Sequence, residues 1–257
     1  MMETQLTNDL LGCLKELCLP TIRNAYAQQA DLARQESLSY ERYLLELVQQ
    51  EREVRRNKRI ARYLRDSRLP LEKSLQTFNR KRLPRKIDMQ LSRLLEGDFL
   101  DRRENILAFG NPGSGKTHIL CAVAQELIYK QRRIKFTPCS LLVQELLIAK
   151  RDLKLPRILK QLAKYDALLI DDIGYVQQNR EEMEVLFTLL ADRYEKGSVM
   201  ITSNLAFSQW EKIFKDPMTT AAAIDRLVHH SIILELNLPS YRLEQAKNDK
   251  NDPKKEV

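Results

Sequence analysis

The 257-residue sequence predicts an α/β protein whose core is a five-stranded parallel sheet, preceded by a small all-helical N-terminal domain. Three observations carry this. From Glu104 onward, five short apolar runs (NILAFG, RIKFTP, ALLID, SVMITSN and SIILEL) alternate with longer stretches of helical pattern. Strands separated by helices pair in parallel and are covered on both faces, so they read as continuous apolar runs. Second, the turn GNPGSGKT follows the first run and leads into the helix-like THILCAVAQELIYKQ. Third, residues 1–96 contain one glycine, Gly12, and are rich in helix formers.

Taken in chain order, Leu10, Leu11, Leu14 and Leu17 recur at helical spacing until Pro20 interrupts them. A long helix is expected in SYERYLLELVQQEREVRRNKRIARYLRDS, beginning at Ser39 with Glu41 in its first turn. Residues 1–69 therefore read as a helical domain that binds DNA or a partner. Leu69-Pro70 and Leu83-Pro84 bracket a connector, because proline disfavours helix in the residue before it. We assign 70–103 as linker, 104–243 as the nucleotide-binding core and 244–257 as a disordered polar tail.

No run of 18 or more apolar residues exists, and the N-terminus lacks the basic start and apolar block of a signal peptide. A cytoplasmic protein without membrane partners is expected. Cys13, Cys18, Cys121 and Cys139 lack metal-ligand spacing and read as buried, reduced thiols. The formal charge is +8, yet Glu51–Lys86 alone carries 14 Lys and Arg against 4 Asp and Glu. A polyanion, foremost double-stranded DNA, is the natural partner for such a stretch.

GNPGSGKT supplies Gly110, Asn111, Pro112, Gly113, Ser114, Gly115, Lys116 and Thr117, with His118 next in the helix. Glycines let successive N–H groups turn inward onto phosphate oxygens, and the helix adds its positive end. Lys116 is placed for the β- and γ-phosphates of ATP, and the Thr117 hydroxyl for Mg²⁺. The run ALLIDD brings Asp171 to a strand end beside the loop, as the second Mg²⁺ residue. Asp172 is positioned to polarise an attacking water, or alternatively to cap the following turn. Asn204, closing the fourth run, is a candidate to orient that water, although Ser and Asn also close strands as turn formers.

At 100° per residue, Arg52, Arg55, Arg56 and Arg59 share one face of the long helix, opposite Val54, Ala61 and Leu64. With few acids among them, they are candidates for phosphate-backbone contact rather than a merely solvated face. Without interleaved aromatics, recognition is expected to be sequence-tolerant and salt-dependent. A second basic cluster, Lys150, Arg151, Lys154 and Arg157, broken at Pro156, follows the second strand.

The order of phosphate loop, apolar run ending Asp171-Asp172, Asn204 and Ala-Ile-Asp-Arg-Leu resembles an AAA+ ATPase. More narrowly, YDALLIDDIGYV, LFTLLADRYEKGSVMITSNLAFSQW, DRLVHHSIILEL and SYRL resemble the IstB-type transposition helpers of bacterial insertion sequences, relatives of DnaC-type helicase loaders. The helical start, CLPTIRNAYAQQA included, is similar as well, so the likeness covers nearly the whole chain.

The resemblance implies that Arg226 completes a neighbouring subunit's site in a homo-oligomer, the alternative being a surface arginine. It implies that Arg242 senses the γ-phosphate, that the C-terminal lid is absent or very short, and that Lys150, Arg151 and Lys154 face DNA rather than only solvent. Two positions depart from the family: Asp172 often appears there as Glu, and Leu238-Pro239 stands where a glycine is frequent. The function implied is an ATPase, stimulated by DNA, that assembles on duplex DNA and delivers it to a cognate transposase. A DnaC-like replicative helicase loader is the alternative within that class. A small-molecule kinase or a DNA-binding protein with an inert nucleotide site are the alternatives outside it.

Overall fold

The computed structural model describes residues 2–175, 180–205, 209–210, 225 and 227–241. It divides into two compact units, Met1–Arg62 and Tyr63–Val257.

The first unit is built from α1 (Met2–Glu16), α2 (Pro20–Gln35) and the start of α3 (Tyr40–Ser67), within which the division falls. Leu14, Ile22 and Leu47 form its buried centre, with Leu19, Tyr26 and Tyr43 packed around them. Pro20 opens α2 as well as separating it from α1, since a first-turn proline forfeits no helical hydrogen bond. The residue before it, Leu19, has no side chain able to cap the helix. That task falls to Glu51 of α3, whose Oε2 accepts from the backbone N–H of Thr21 (2.8 Å) and Ile22 (3.2 Å). Its Oε1 accepts from Arg55 Nε at 2.7 Å, and Arg55 Nη2 donates in turn to the Cys18 carbonyl. Glu51 is 4% exposed. Burial alone would raise its pKa, but the bonds from Arg55, Ile22 and Thr21 outweigh it and hold the carboxyl below its usual range.

The second unit centres on β1 (Asn105–Phe109), β2 (Ile134–Pro138), β3 (Ala167–Asp171), β4 (Ser198–Ser203) and β5 (Ser231–Glu235). Every pairing is parallel and the strand order is β2-β3-β4-β1-β5. All residues of β1 and β4 are buried, which explains their unbroken apolar reading. Between the strands lie α6 (Lys116–Tyr129), α7 (Cys139–Arg151), α8 (Leu155–Leu162) and α9 (Arg180–Arg193). Leu107, Leu168, Ile170, Val199 and Ile201 share one core with α7 and α9, while α6 packs across β1, β2, β3 and β4.

Residues 70–103, expected to be linker, hold more structure than that. They contain α4 (Arg85–Glu96) and α5 (Asp98–Asp101). Ile87, Leu91 and Leu94 recur at helical spacing and are buried, and α4 packs on α6 and β5. Pro84 marks the start of α4, not only the end of something before it. The cysteine expectation also needs correcting. Cys121 and Cys139 are buried, and burial pushes both thiols up to about 12, whereas Cys13 and Cys18 are exposed. Leu10 and Leu17 stay exposed, so the first unit's short helices cannot enclose every apolar side chain of α1. Among the described residues no helix is long and apolar enough to cross a membrane. The residues of the expected polar tail lie outside those described.

At the end of the sheet where the strands begin, Arg193 is 3% exposed and gathers backbone carbonyls instead of a carboxylate. Nη1 donates to Leu162 (2.9 Å), and Nη2 reaches Tyr165 (3.0 Å), Asp166 (3.3 Å) and Ser198 (3.1 Å). Burial pulls this guanidinium down to about 10. A Cβ on Gly197 would come within 2.5 Å of its Nη2.

Replacing Glu51 by Ala removes the cap of α2, and should cost the helical unit about 1–2 kcal/mol, the usual worth of an N-cap. Because the folded carboxyl titrates below its unfolded value, that contribution is present above the unfolded pKa of 4.5 and is lost as pH falls through the folded one. Chemical denaturation of wild type and Glu51→Ala should therefore differ at pH 7 and converge in acid. A gap that persists at pH 2.5 would assign the effect to packing instead.

Candidate nucleotide-binding site

β1 ends at Phe109, and the chain turns through residues 110–115 into α6 at the edge where the strands finish. Gly110 (φ +151°) and Gly113 (φ +79°) adopt backbone angles that side chains rarely tolerate. A Cβ on Gly110 would strike the Leu236 carbonyl, and one on Gly113 the Ser240 hydroxyl. The loop is thus closely backed by residues 236–241, with Leu236 N donating to Phe109 O (2.7 Å) and Tyr241 N to Gly113 O (3.0 Å). Asn111 and Pro112 sit exposed at its outer bend, while Ser114 is buried. Lys116 Nζ donates to the carbonyls of Gly110 (2.8 Å) and Asn111 (2.9 Å), so it already lies along the concave side of the loop.

Asp171 Oδ1 joins three elements. Thr117 Oγ1, in the first turn of α6, donates to it at 2.7 Å. Thr202 Oγ1, on β4, donates to the same oxygen at 2.7 Å. The Thr202 hydroxyl also accepts from the Asp172 backbone N–H at 2.8 Å. One threonine therefore orients both consecutive aspartates. Asp172 itself has a left-handed φ of +66°, which sets its side chain off the line of β3. Asn204 follows β4, and its Oδ1 is buried without a hydrogen-bond partner among the described residues. That orphaned amide lies against Gly174, where a Cβ would collide with it. A buried oxygen unpaired at a strand end is one that a water, an ion or a ligand can satisfy.

Beside the loop a pocket opens, lined by Lys73, Phe78, Asn79, Leu238 and Tyr241. His118 faces it but works on its wall: Nε2 lies 3.0 Å from the Ser74 carbonyl and 3.2 Å from Thr77 Oγ1. The Phe78 and His118 rings meet edge to face, with centroids 5.1 Å apart. Arg82 closes the far side, donating to the Pro239 carbonyl (3.1 Å) with its guanidinium 5.1 Å from the Tyr241 ring centre. An apolar ring, an amide and a tyrosine next to a phosphate loop suit a nucleoside.

A family model of IstB-like ATP-binding proteins matches residues 12–249. The chain belongs to that family. An insertion-sequence ATP-binding protein from Sinorhizobium fredii is 40% identical to this IstB-like chain over 234 residues, covering 91% of it and 78% of the relative. The insertion sequence IS21 ATP-binding protein of Pseudomonas aeruginosa is 38% identical over 216 residues, covering 84% and 81%. Among solved structures, AMPPCP-bound DnaA from Aquifex aeolicus superposes with TM-score 0.56 at 17% identity, over 74% of this chain and 58% of that one. DnaI superposes with TM-score 0.56 at 21% identity, over 66% and 95%. At such identities the likeness concerns the fold, which is that of an AAA+ core. The match to a family of IstB-like ATP-binding proteins agrees with the nucleotide site that the phosphate-loop motif implied.

The structure gathers Gly110, Gly113, Ser114, Gly115, Lys116, Thr117, Asp171, Asp172 and Asn204 at one end of the sheet. Arg226 and Arg242 lie outside the described residues. Arg52, Arg55, Arg56 and Arg59 are all exposed on α3, although Arg55 is engaged with Glu51 and Cys18. Lys150 pairs with Glu184 at 2.8 Å and Lys154 with Asp152 at 3.0 Å, while Arg151 is exposed. Thr202 and the wall residues Lys73, Phe78 and Asn79 have no motif that announces them. Only the spacing of Thr202 two residues before Asn204 could have drawn attention.

The hydroxyl of Thr202 makes a sharp prediction. Thr202→Val removes both the hydroxyl that accepts from the Asp172 amide and the donor to Asp171 Oδ1, and should lower stability by about 1–3 kcal/mol. Thr202→Ser keeps the hydroxyl and should remain closer to wild type in thermal melts. A larger loss in Thr202→Ser than in Thr202→Val would show that the methyl group, not the hydrogen bonds, matters.

Proposed function

We propose that this protein is a Mg²⁺-dependent ATPase that uses the nucleotide to switch its hold on duplex DNA within an insertion-sequence transposition system. The observation that carries the reading is the Asp171 carboxylate, bonded to Thr117 of the phosphate-loop helix at 2.7 Å. A hydroxyl and a carboxylate at the mouth of such a loop are the hard oxygen donors that Mg²⁺ takes alongside substrate phosphates. Mg²⁺ held there would neutralise charge developing between the β- and γ-phosphates.

The chain's own residues supply the rest. The loop amides and Lys116 bind the phosphates, Lys116 exchanging its two carbonyl partners for phosphate oxygens. Phe78, Asn79, Leu238 and Tyr241 enclose the nucleoside. Asp172 takes the proton of the attacking water, and the unpaired amide of Asn204 orients that water opposite the leaving group. Arg226 acts on the site of a neighbouring subunit, so turnover requires a homo-oligomer. Because only a difference in affinity between nucleotide states can shift an equilibrium, hydrolysis serves to release DNA and the transposase to which it is presented.

Two surfaces suit the DNA. Arg52, Arg56 and Arg59 are exposed along α3. On the second unit, acidic partners compensate Lys150 and Lys154, which shifts the outward charge to α8. There Arg157 and Lys160 are exposed, as is Lys164 in the turn just after the helix, while Ile158, Leu159 and Leu162 pack inward. Contacts of this kind read phosphates rather than bases.

The primary test is ATP turnover with and without long duplex DNA, beside Lys116→Ala. Stimulation by DNA that vanishes in the variant supports the reading, and turnover indifferent to DNA defeats it. If α8 grips the backbone, Arg157→Ala/Lys160→Ala/Lys164→Ala should flatten the dependence of log K on log[salt] by about 2–3, near 0.9 per lost phosphate contact. An unchanged slope would remove α8 from the interface.

A further inference from the structure

Residues 70–79 hold neither helix nor strand, yet Phe78 and Asn79 within them line the nucleotide pocket. The segment is a knot of short-range bonds. Lys73 N donates to Pro70 O at 3.1 Å. Thr77 Oγ1 donates to Glu72 O at 2.7 Å and accepts from Ser74 N at 3.1 Å, while Thr77 N donates to Ser74 Oγ at 3.3 Å. These bonds shape the turn but tie it to nothing else. Among the described residues, the hydrogen bonds that leave 70–79 for a sequence-distant partner both end on one atom, His118 Nε2. It lies 3.0 Å from the Ser74 carbonyl and 3.2 Å from Thr77 Oγ1.

The chemistry of those partners fixes where the imidazole carries its proton. A carbonyl oxygen only accepts, so Nε2 is the donor to Ser74. The Thr77 hydroxyl, whose hydrogen points at Glu72 O, is left to accept from the same N–H. His118 follows directly on Lys116 and Thr117 in α6, and its half-buried ring also meets Phe78 edge to face at 5.1 Å. Phe78 touches the phosphate loop as well, since a Cβ on Gly115 would come within 3.3 Å of its ring. One side chain of α6 thus holds both the Phe78 ring and the turn from which that ring hangs.

We propose that His118 is a positioning residue for the nucleoside: its Nε2–H latches residues 72–79 to the phosphate-loop helix and so holds Phe78 against the bound base. This rests on the reading that the pocket takes the nucleoside of ATP. The site then has two halves. The loop amides and Lys116 bind phosphates without help from the turn, whereas the turn binds the nucleoside only while it is latched. Inorganic tripolyphosphate engages the first half alone, and an ATP analogue engages both.

Calorimetric titration of the full-length protein with AMPPCP and with tripolyphosphate, each with Mg²⁺, tests the latch. His118→Phe keeps a ring beside Phe78 but has no donor. It should weaken AMPPCP about three- to tenfold, the span of one lost hydrogen bond, and leave tripolyphosphate within about twofold. His118→Gln offers an N–H at similar reach and should recover most of the lost affinity. Phe78→Ala should weaken AMPPCP at least as much as His118→Phe does. If Phe78→Ala weakens AMPPCP and His118→Phe does not, the turn needs no latch and the proposal alone falls. Tripolyphosphate weakened as much as AMPPCP in His118→Phe would place the histidine's effect on the phosphates and overturn it, as would His118→Gln binding no better than His118→Phe. If Phe78→Ala binds AMPPCP as wild type does, the nucleoside reading of the pocket fails and takes the proposal with it. Should His118→Phe not melt cooperatively, His118→Leu, which also lacks a donor but fills less space, carries the same comparison.

Discussion

A single carboxylate oxygen, Asp171 Oδ1, organises the nucleotide end of this protein. The strand order makes its position demanding. β4 lies between β3 and β1, so a loop growing from β1 must reach across β4 to meet a residue on β3. Thr117 makes that reach from the first turn of α6, and Thr202 fills the intervening strand with a second donor to the same oxygen. Three elements far apart in sequence are therefore fixed relative to one another by two hydrogen bonds to a charged acceptor, stronger than neutral pairs. The loop's curvature, the buried apolar strands and the left-handed backbone of Asp172 all serve to bring those atoms together.

Around that point the chain builds an enclosure from segments with no nucleotide motif. Residues 73–82 and 236–241 converge on the loop, joined by Arg82 to Pro239 and Tyr241, and by Tyr241 to Gly113. Glycine at 113 is required as much by Ser240 as by any phosphate. Ligand-binding backbone and C-terminal backbone thus share one packed contact, and neither can shift without the other. The four-carbonyl seat of Arg193 secures the opposite end of the sheet.

Much of this was legible in the sequence. The five strands were visible because burial on both faces forces each into an unbroken apolar run, and GNPGSGKT because few sequences satisfy that backbone geometry. Thr117 and Asp171 followed from the same logic. The walls of the pocket were not legible. Phe78 and Asn79 matter by folding back over α6, and local pattern does not encode such a return. Proline misled at residue 84, where its breaking and its initiating roles look alike from the sequence. Nor could the basic run near the end of α7 announce that Glu184, distant in sequence, stands against Lys150. Glu51 escaped notice for the same reason, since it caps a helix thirty residues before it.

Arg193 and Gly197 carry a consequence of a different sort. The planar guanidinium fits only because position 197 has no side chain, and the carbonyls of Leu162, Tyr165, Asp166 and Ser198 stay satisfied only while the guanidinium is there. Each residue is the condition for tolerating the other. Changing either residue alone leaves the seat overfilled or its carbonyls stranded. The pair should be inherited as a block, and a graft of this core onto another scaffold must carry both residues together.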